Sequence, residues 1–494
     1  MTRKNPYLRR ATATLGAATL AAGSLLFFAS PSLAAVGPDQ PGAPTGGTLK
    51  INKYSGAPVA EGETPDPRNL LDGVEFTVQQ VGDNSSGTCT AIDLTKAEDW
   101  TGLDTLFNSA PNAPADPYCL VPGSSTSLTT TDGKAVFDLN VGVYFVQETD
   151  PGNNNIVSKV PDFYVSIPTS NGDEGDGWNY NVVADPKNQI MDAPSKEINP
   201  AQGQFTLGSE VEWTLTVPVP TLNNETFNEA IVEDVLDSRL DYVEGSSVVT
   251  LDGATLDDET DFSVAGNATW TFTPELFNSH MGGELKITFK TKVISVGDGA
   301  IPNDEYTSSF NGTEVPGEVD PYTYWGQLSI LKTDDSKPTA LNLEGAEFQV
   351  FNLLEDGTCP SAAPESGAIA TGTSGSDGVV MWNHTNPASS PLGLWVANTN
   401  NGPADPVPTK SYCVFETVVP AGHTATPIAN PVVITPGEAN VNPLTVVNPK
   451  TEGPDLPLTG AQGTIALTIG GAVIVAAGTG LMIAARRRQG KQNA

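Results

Sequence analysis

The residues whose types and spacing could do chemistry are few and gathered at particular places. At the C-terminal end, Leu456-Pro457-Leu458-Thr459-Gly460 precedes an apolar run from about Ile465 to Ala485, and then Arg486, Arg487, Arg488 and Lys491. About 20 apolar residues span a bilayer, and a basic cluster after them stays on the cytoplasmic side, so the polar bulk of the chain lies outside. Four cysteines form two local pairs, Cys89 with Cys119 and Cys359 with Cys413. In an oxidising exterior these predict one bridge within each pair, stabilising by roughly 3 to 5 kcal/mol each on the chain-entropy account. The three histidines, His280, His384 and His423, stand apart, and no close Cys pair accompanies them, which argues against a metal centre. No Gly-x-Ser-x-Gly elbow, P-loop, His-Glu-x-x-His or glycine-rich nucleotide fingerprint occurs, so neither an enzyme nor a cofactor is expected. The Asp- and Gly-rich stretch from Asn171 to Trp178 lacks the spacing of an EF-hand loop and reads as solvated.

The elements that must carry these residues are strands. Gly 49 and Pro 40, with short alternating runs such as Val211 to Val217, Lys286 to Val293 and Phe348 to Phe351, indicate an all-β chain rich in turns. At the N-terminus, Arg3, Lys4, Arg9 and Arg10 precede an apolar stretch from about Ala17 to Ala29 and the small-residue site Ser32-Leu33-Ala34-Ala35. This is the pattern of a secretory signal peptide, with the mature protein starting near Ala35 or Val36. Lys+Arg 24 against Asp+Glu 58 gives a formal net charge of -34 over 494 residues, which excludes nucleic acid as a partner and keeps the exported surface soluble.

Two segments repeat one another. Leu49-Lys50-Ile51-Asn52-Lys53 and Leu71-Asp72-Gly73-Val74-Glu75-Phe76 match Leu328-Ser329-Ile330-Leu331-Lys332 and Leu343-Glu344-Gly345-Ala346-Glu347-Phe348. Tyr144-Phe145-Val146-Gln147-Glu148-Thr149 matches Tyr412-Cys413-Val414-Phe415-Glu416-Thr417, and Val183-Ala184-Asp185-Pro186-Lys187 is aligned with Val446-Val447-Asn448-Pro449-Lys450. Three matches in one order imply two copies of a β-sandwich. Between them lies a third strand-rich unit. The expected organisation is a signal peptide over 1–35, a first unit over 36–189, a middle unit over 190–322, a third over 323–450 and the C-terminal signal over 451–494.

These motifs carry a resemblance. Leu456 to Gly460 with its span and basic tail resembles the sorting signal of Gram-positive surface proteins, in which sortase cuts between Thr and Gly and holds the Thr carboxyl as a thioester until an amine attacks. That makes Thr459 the acyl donor. The first and third units resemble the collagen-adhesin B-type immunoglobulin-like fold of Gram-positive adhesins and pilins, and the middle unit resembles the middle domain of three-domain pilin backbones. In that family a Lys on the first strand, an Asn near the last and an acid between them join autocatalytically as an isopeptide. The chemistry needs a neutral amine, a carboxamide electrophile and a protonated acid that polarises the carbonyl and shuttles protons as ammonia leaves. In the third unit the resemblance implies Lys332, Asn448 and Glu416, the last within a segment that resembles the pilin E-box. In the middle unit it implies Lys196, Asn303 and Asp234, with Asn311 a rival acceptor and Glu233 on the opposite strand face. In the first unit Lys53 and Glu148 are present, but Asp185 stands at the position aligned with Asn448, which favours no cross-link there over a Lys53–Asp185 amide.

Trp178-Asn179-Tyr180-Asn181-Val182-Val183-Ala184-Asp185-Pro186-Lys187 resembles the pilin motif of sortase-assembled pili, usually Trp-x-x-x-Val-x-Val-Tyr-Pro-Lys. Trp178, Val182, Pro186 and Lys187 match, while Ala184 and Asp185 depart from it. Pro186 fixes the backbone at a domain end, which predicts that Lys187 is held exposed as the nucleophile, Lys450 being its rival. The resemblance implies the major subunit of a covalent, wall-anchored fimbria supporting adhesion, its Lys187 joined to Thr459 of the next identical subunit. It further implies pilin-specific and housekeeping sortases, tip and base pilins and peptidoglycan as partners. A monomeric wall-anchored adhesin or minor pilin is the alternative, separated from a polymer by Lys187 in its motif.

Overall fold

The computed structural model describes residues 36–56, 65–170, 177–199, 206–223, 225–266, 268–384, 388–438 and 443–451. The signal peptide, the sorting motif with its apolar span, and residues 171–176 of the Asp/Gly-rich stretch lie outside them. The described chain is all-β, as expected, with one short α-helix at Leu103–Phe107.

In the first unit, strand Gly46–Asn52 pairs antiparallel with Lys134–Asn140 and parallel with Asn181–Ala184. Leu49 and Ile51 alternate inward from it, as period 2 requires, and meet Phe76, Val78, Phe137, Val146, Val165 and Val182 in one core. The facing sheet runs Phe163–Ile167, Gly142–Asp150, Glu75–Asp83 in order. An excursion after Asp83 is closed by the Cys89–Cys119 disulfide. It carries the helix Leu103–Phe107, whose Leu103 and Leu106 pack with Val81, Ile92, Leu94, Phe145 and Tyr164 in a small second core.

The middle unit packs Glu210–Pro218 and Glu284–Val293 against a sheet of Ala230–Asp234, Thr269–Phe272 and Tyr306–Phe310. Trp213, Trp270, Phe277, Phe289 and Phe310 fill the space between. In the third unit, Ile330–Asp334 pairs parallel with Leu444–Asn448, while Glu347–Asn352, Lys410–Val418 and Ala370–Ser374 form the opposing sheet. Cys359 and Cys413 are bridged.

The repeat seen in the sequence is also a repeat of register. Phe76 stands opposite Glu148 beside an irregularity between Glu75 and Phe76, and Phe348 stands opposite Glu416 beside one between Glu347 and Phe348. The strand Tyr322–Leu328 serves two cores, placing Trp325 in the middle one and Tyr324 and Leu328 in the third. It also pairs with Ala300–Pro302 on one side and Leu392–Thr399 on the other.

Candidate functional site: three buried lysine, acid and asparagine sets

Pairing the first strand of a unit with its last is what brings an early lysine to a late asparagine. In the third unit Lys332 registers with Val446, two residues before Asn448. Lys332, buried completely, has its Nζ 3.7 Å from Glu416 Oε1, and Asn448 Nδ2 donates to the same oxygen at 2.8 Å. The Lys332 amine also donates to the carbonyls of Val446 and Thr333. Burial pushes Lys332 below the usual lysine range despite the Glu416 charge, and pushes the Glu416 carboxyl up. Both shifts run toward a neutral amine beside a protonated acid.

The middle set is drier. Lys196 and Asp234 are wholly buried, with Nζ 2.5 Å from Asp234 Oδ2, and Asn303 Nδ2 donates to that oxygen at 3.5 Å. Trp213, Phe289 and Tyr306 surround the amine, their ring centroids 5.5, 5.8 and 5.0 Å from it. Desolvation brings Lys196 down to about 8 and raises Asp234. Glu233 is exposed on the other face of the strand. Asn311 sits in a turn at φ 51° with its side chain bonded to the Asn228 amide and the Thr226 carbonyl, away from Lys196.

The first unit corrects the sequence alignment. Lys53 is fully buried, and its Nζ lies 2.7 Å from Glu148 Oε2, but it donates at 2.5 Å to Asn188 Oδ1 and not to Asp185. Asn188 Nδ2 in turn donates to Glu148 Oε1 at 2.6 Å, and the backbone N–H of Val160 donates to Asn188 Oδ1 at 2.6 Å. The physical reason is register. Ile51 stands beside Ala184, and Tyr54 beside Lys187, which sets Lys53 beside Pro186 and makes Asn188 the residue two further on. That offset equals the one from Val446 to Asn448. Matching Asp185-Pro186-Lys187 to Asn448-Pro449-Lys450 therefore slipped by three residues; counting from the lysine's strand partner would have found Asn188. Desolvation lowers Lys53 to about 8 against the opposing pull of Glu148. Asp185 instead accepts from Asn52 Nδ2 at 2.8 Å.

Lys187 also departs from expectation. It begins the strand Lys187–Ile190 and is 7 % exposed, not held out in solvent. Its Nζ donates to the Asp185 carbonyl at 3.3 Å and lies 5.7 Å from the Tyr54 ring centroid. Pairing with Tyr54–Ser55 on one side and Ile156–Ser158 on the other holds this strand inside the sheet. Trp178 packs on Trp100 of the disulfide-closed excursion at 5.0 Å. Lys450 is the more open amine, reaching Asp334 Oδ2 at 3.2 Å and Ser336 Oγ at 2.8 Å.

Three tandem sandwiches, each with a buried lysine, acid and asparagine set, form a repetitive, structural class of protein, and comparison with known proteins places it. Residues 46–189 match the family described as Gram-positive pilin subunit D1, N-terminal domain, 191–316 match the Sgo0707 N2 domain, and 448–491 match the LPXTG cell wall anchor motif. The chain is 29 % identical to fimbrial subunit type 2 of Actinomyces naeslundii, over 98 % of this chain and 97 % of that one. It is 26 % identical to fimbrial subunit type 1 of Actinomyces viscosus, over 97 % and 98 %. Its fold is that of the full-length major pilin SpaD from Corynebacterium diphtheriae, with a TM-score of 0.58 at 23 % identity, covering 83 % of this chain and 98 % of that one. The first unit thus carries the Gram-positive pilin D1 domain and the C-terminal end an LPXTG wall anchor, and the protein is a fimbrial subunit anchored to the cell wall.

Proposed function

We propose that this pilin is the shaft subunit of a covalent fibre, exported as units divided near residues 189 and 323 and cross-linked internally by three Lys–Asn amides. The observation that carries this is the set of three buried constellations, each bridging the beginning and end of its own unit. In the first unit the neutral Lys53 amine attacks the Asn188 carboxamide carbon. The Val160 N–H stabilises the developing oxyanion, and Glu148 takes the proton that the Lys53 nitrogen sheds and passes it to Nδ2, which departs as ammonia. In the third unit Glu416 serves Lys332 and Asn448, and in the middle unit Asp234 serves Lys196 and Asn303. Asn448 Oδ1 and Asn303 Oδ1 are buried without a hydrogen-bond partner; rotating the Asn448 amide by half a turn would set its carbonyl oxygen on Glu416, where a protonated acid polarises it.

Between subunits, a pilus-specific sortase takes Thr459 as a thioester and transfers it to Lys187 of the next subunit, and a housekeeping sortase joins the last subunit to peptidoglycan. Tip and base pilins complete the fibre. Lys187 is favoured over Lys450 because it ends the first unit within the motif and its amine is drawn toward neutrality by burial. The test is a denaturing gel of wall extract. Lys187→Ala and Thr459→Ala each remove the high-mass ladder, and Lys187→Ala leaves anchored monomer. A ladder that survives Lys187→Ala and disappears with Lys450→Ala assigns the nucleophile to Lys450 instead.

A further inference from the structure

Asp185 is left without a partner role once Asn188 takes the first cross-link, yet it is 3 % exposed and fixed in place. A buried carboxylate costs folding free energy unless something uses or neutralises it. Asn52 Nδ2 holds one of its oxygens at 2.8 Å, Pro186 sets the backbone after it, and two residues along the chain the Lys187 amine is folded back onto the Asp185 carbonyl at 3.3 Å. The carboxylate and the amine act on one another electrostatically without direct ion-pair contact.

Resting on the reading of Lys187 as the intermolecular nucleophile, we propose that Asp185 is the proton acceptor that releases the Lys187 amine for acyl transfer. The Lys187 ammonium passes one proton over a water to the Asp185 carboxylate. The neutral amine attacks the Thr459 thioester carbon, the C–N bond forms, the C–S bond breaks, and the departing thiolate takes the second proton from nitrogen. Asp185 afterwards returns its proton to solvent. Burial lowers Lys187 and raises Asp185, so the two proton affinities approach one another, and enclosure by a docked transferase narrows the gap further because it disfavours the charged pair. The charged and titratable groups facing this pair are Lys50, Tyr54 and Lys53, with Glu148 bound to Lys53.

Asp185→Asn separates this role from packing, since the amide keeps the shape and can still accept from Asn52. In producing cells, Asp185→Asn slows ladder formation at neutral pH by about a hundredfold or more, the range typical of a lost general base, while Asp185→Glu retains most of the rate. In the Thr459→Ala background, where Lys187 stays free, its labelling by a membrane-impermeant acyl ester is followed against pH by peptide mass spectrometry, with Lys450 as reference. There Asp185→Asn leaves the labelling midpoint unchanged or lowers it, because a neighbouring negative charge has gone. Slower polymerisation alongside an equally or more available amine is a combination that disrupted packing does not produce. Ladder formation at the parental rate in Asp185→Asn overturns the proposal, as does a midpoint that rises toward that of Lys450 with Asp185→Glu equally slow. Persistence of the ladder in Lys187→Ala sinks the underlying nucleophile assignment separately.

Discussion

Lys53, Lys196 and Lys332 are each fully buried, a state that lysine reaches rarely and only with compensation. Each has an acid and a carboxamide at hand, and conversion of the set to an amide plus ammonia removes the buried charge altogether. The same cost explains why the sets are closed by aromatic and aliphatic walls and not by solvent. Intact-mass spectrometry of the folded exported chain should therefore show the loss of three ammonia molecules, after allowing for both disulfides. Asn188→Ala restores one of them. A loss of two ammonias and one water in the parent would instead assign Lys53 to Asp185, and a loss of two ammonias alone would leave the first unit open. Lys332, Glu416, Asn448, Lys196, Asp234 and Asn303 were readable from motif order, but Asn188 was hidden. The Pro-Lys that follows both Asp185 and Asn448 made a false anchor, and nothing in residue type reveals the three-residue slip until strand register is known.

The strands themselves were readable wherever one face is buried, because Leu49 and Ile51, or Val211, Trp213, Leu215 and Val217, alternate inward. The strand Tyr322–Leu328 was harder to place, since Thr323, Tyr324, Trp325 and Leu328 are all buried and it serves two cores. A boundary near residue 323 thus falls within an element that both units share. Lys187 was misjudged for a related reason: a proline before a lysine near a unit's end suggests an exposed turn, whereas pairing on both sides draws that strand into the sheet. The shared seam depends on close backbone approach. A Cβ at Gly326 would collide with the Thr435 carbonyl and with Ile434, and the amide of Gly437 bonds to the Trp325 carbonyl beside it. Gly326→Ala should therefore destabilise the seam by about 1 to 3 kcal/mol, the usual range for overpacking, and calorimetry should show the third unit's transition lowered by several degrees. An unchanged transition would mean that the two strands separate freely and that the seam carries no stability.

In the head-to-tail fibre proposed above, tension would enter each subunit at Lys187 and leave at Thr459, so the proposed cross-links would not be mechanically equivalent. From Lys187 the load runs along the chain to Lys196, crosses the amide to Asn303, continues to Lys332, crosses to Asn448 and reaches Thr459. Residues 197–302 and 333–447 are bypassed. The Lys53–Asn188 amide lies outside this path, because the first unit before Lys187 hangs from the load-bearing line. On the proposed scheme its cross-link would hold the strand that carries Lys187, and the other two would bear force. Pulling a single mature subunit between attachments at Lys187 and Thr459 tests that division. Glu416→Ala, which leaves Lys332 and Asn448 unjoined, should add an unfolding event that releases the residues between them not closed off by the Cys359–Cys413 disulfide, roughly 62, or about 22 nm at ~3.5 Å per residue. Asn188→Ala should leave the force-extension curve as it is in the parent, although it removes an amide by mass. If Asn188→Ala lengthens the curve, the load passes through the first unit and Lys187 is not where it enters; if Glu416→Ala does not lengthen it, the third unit carries no amide in the line of tension.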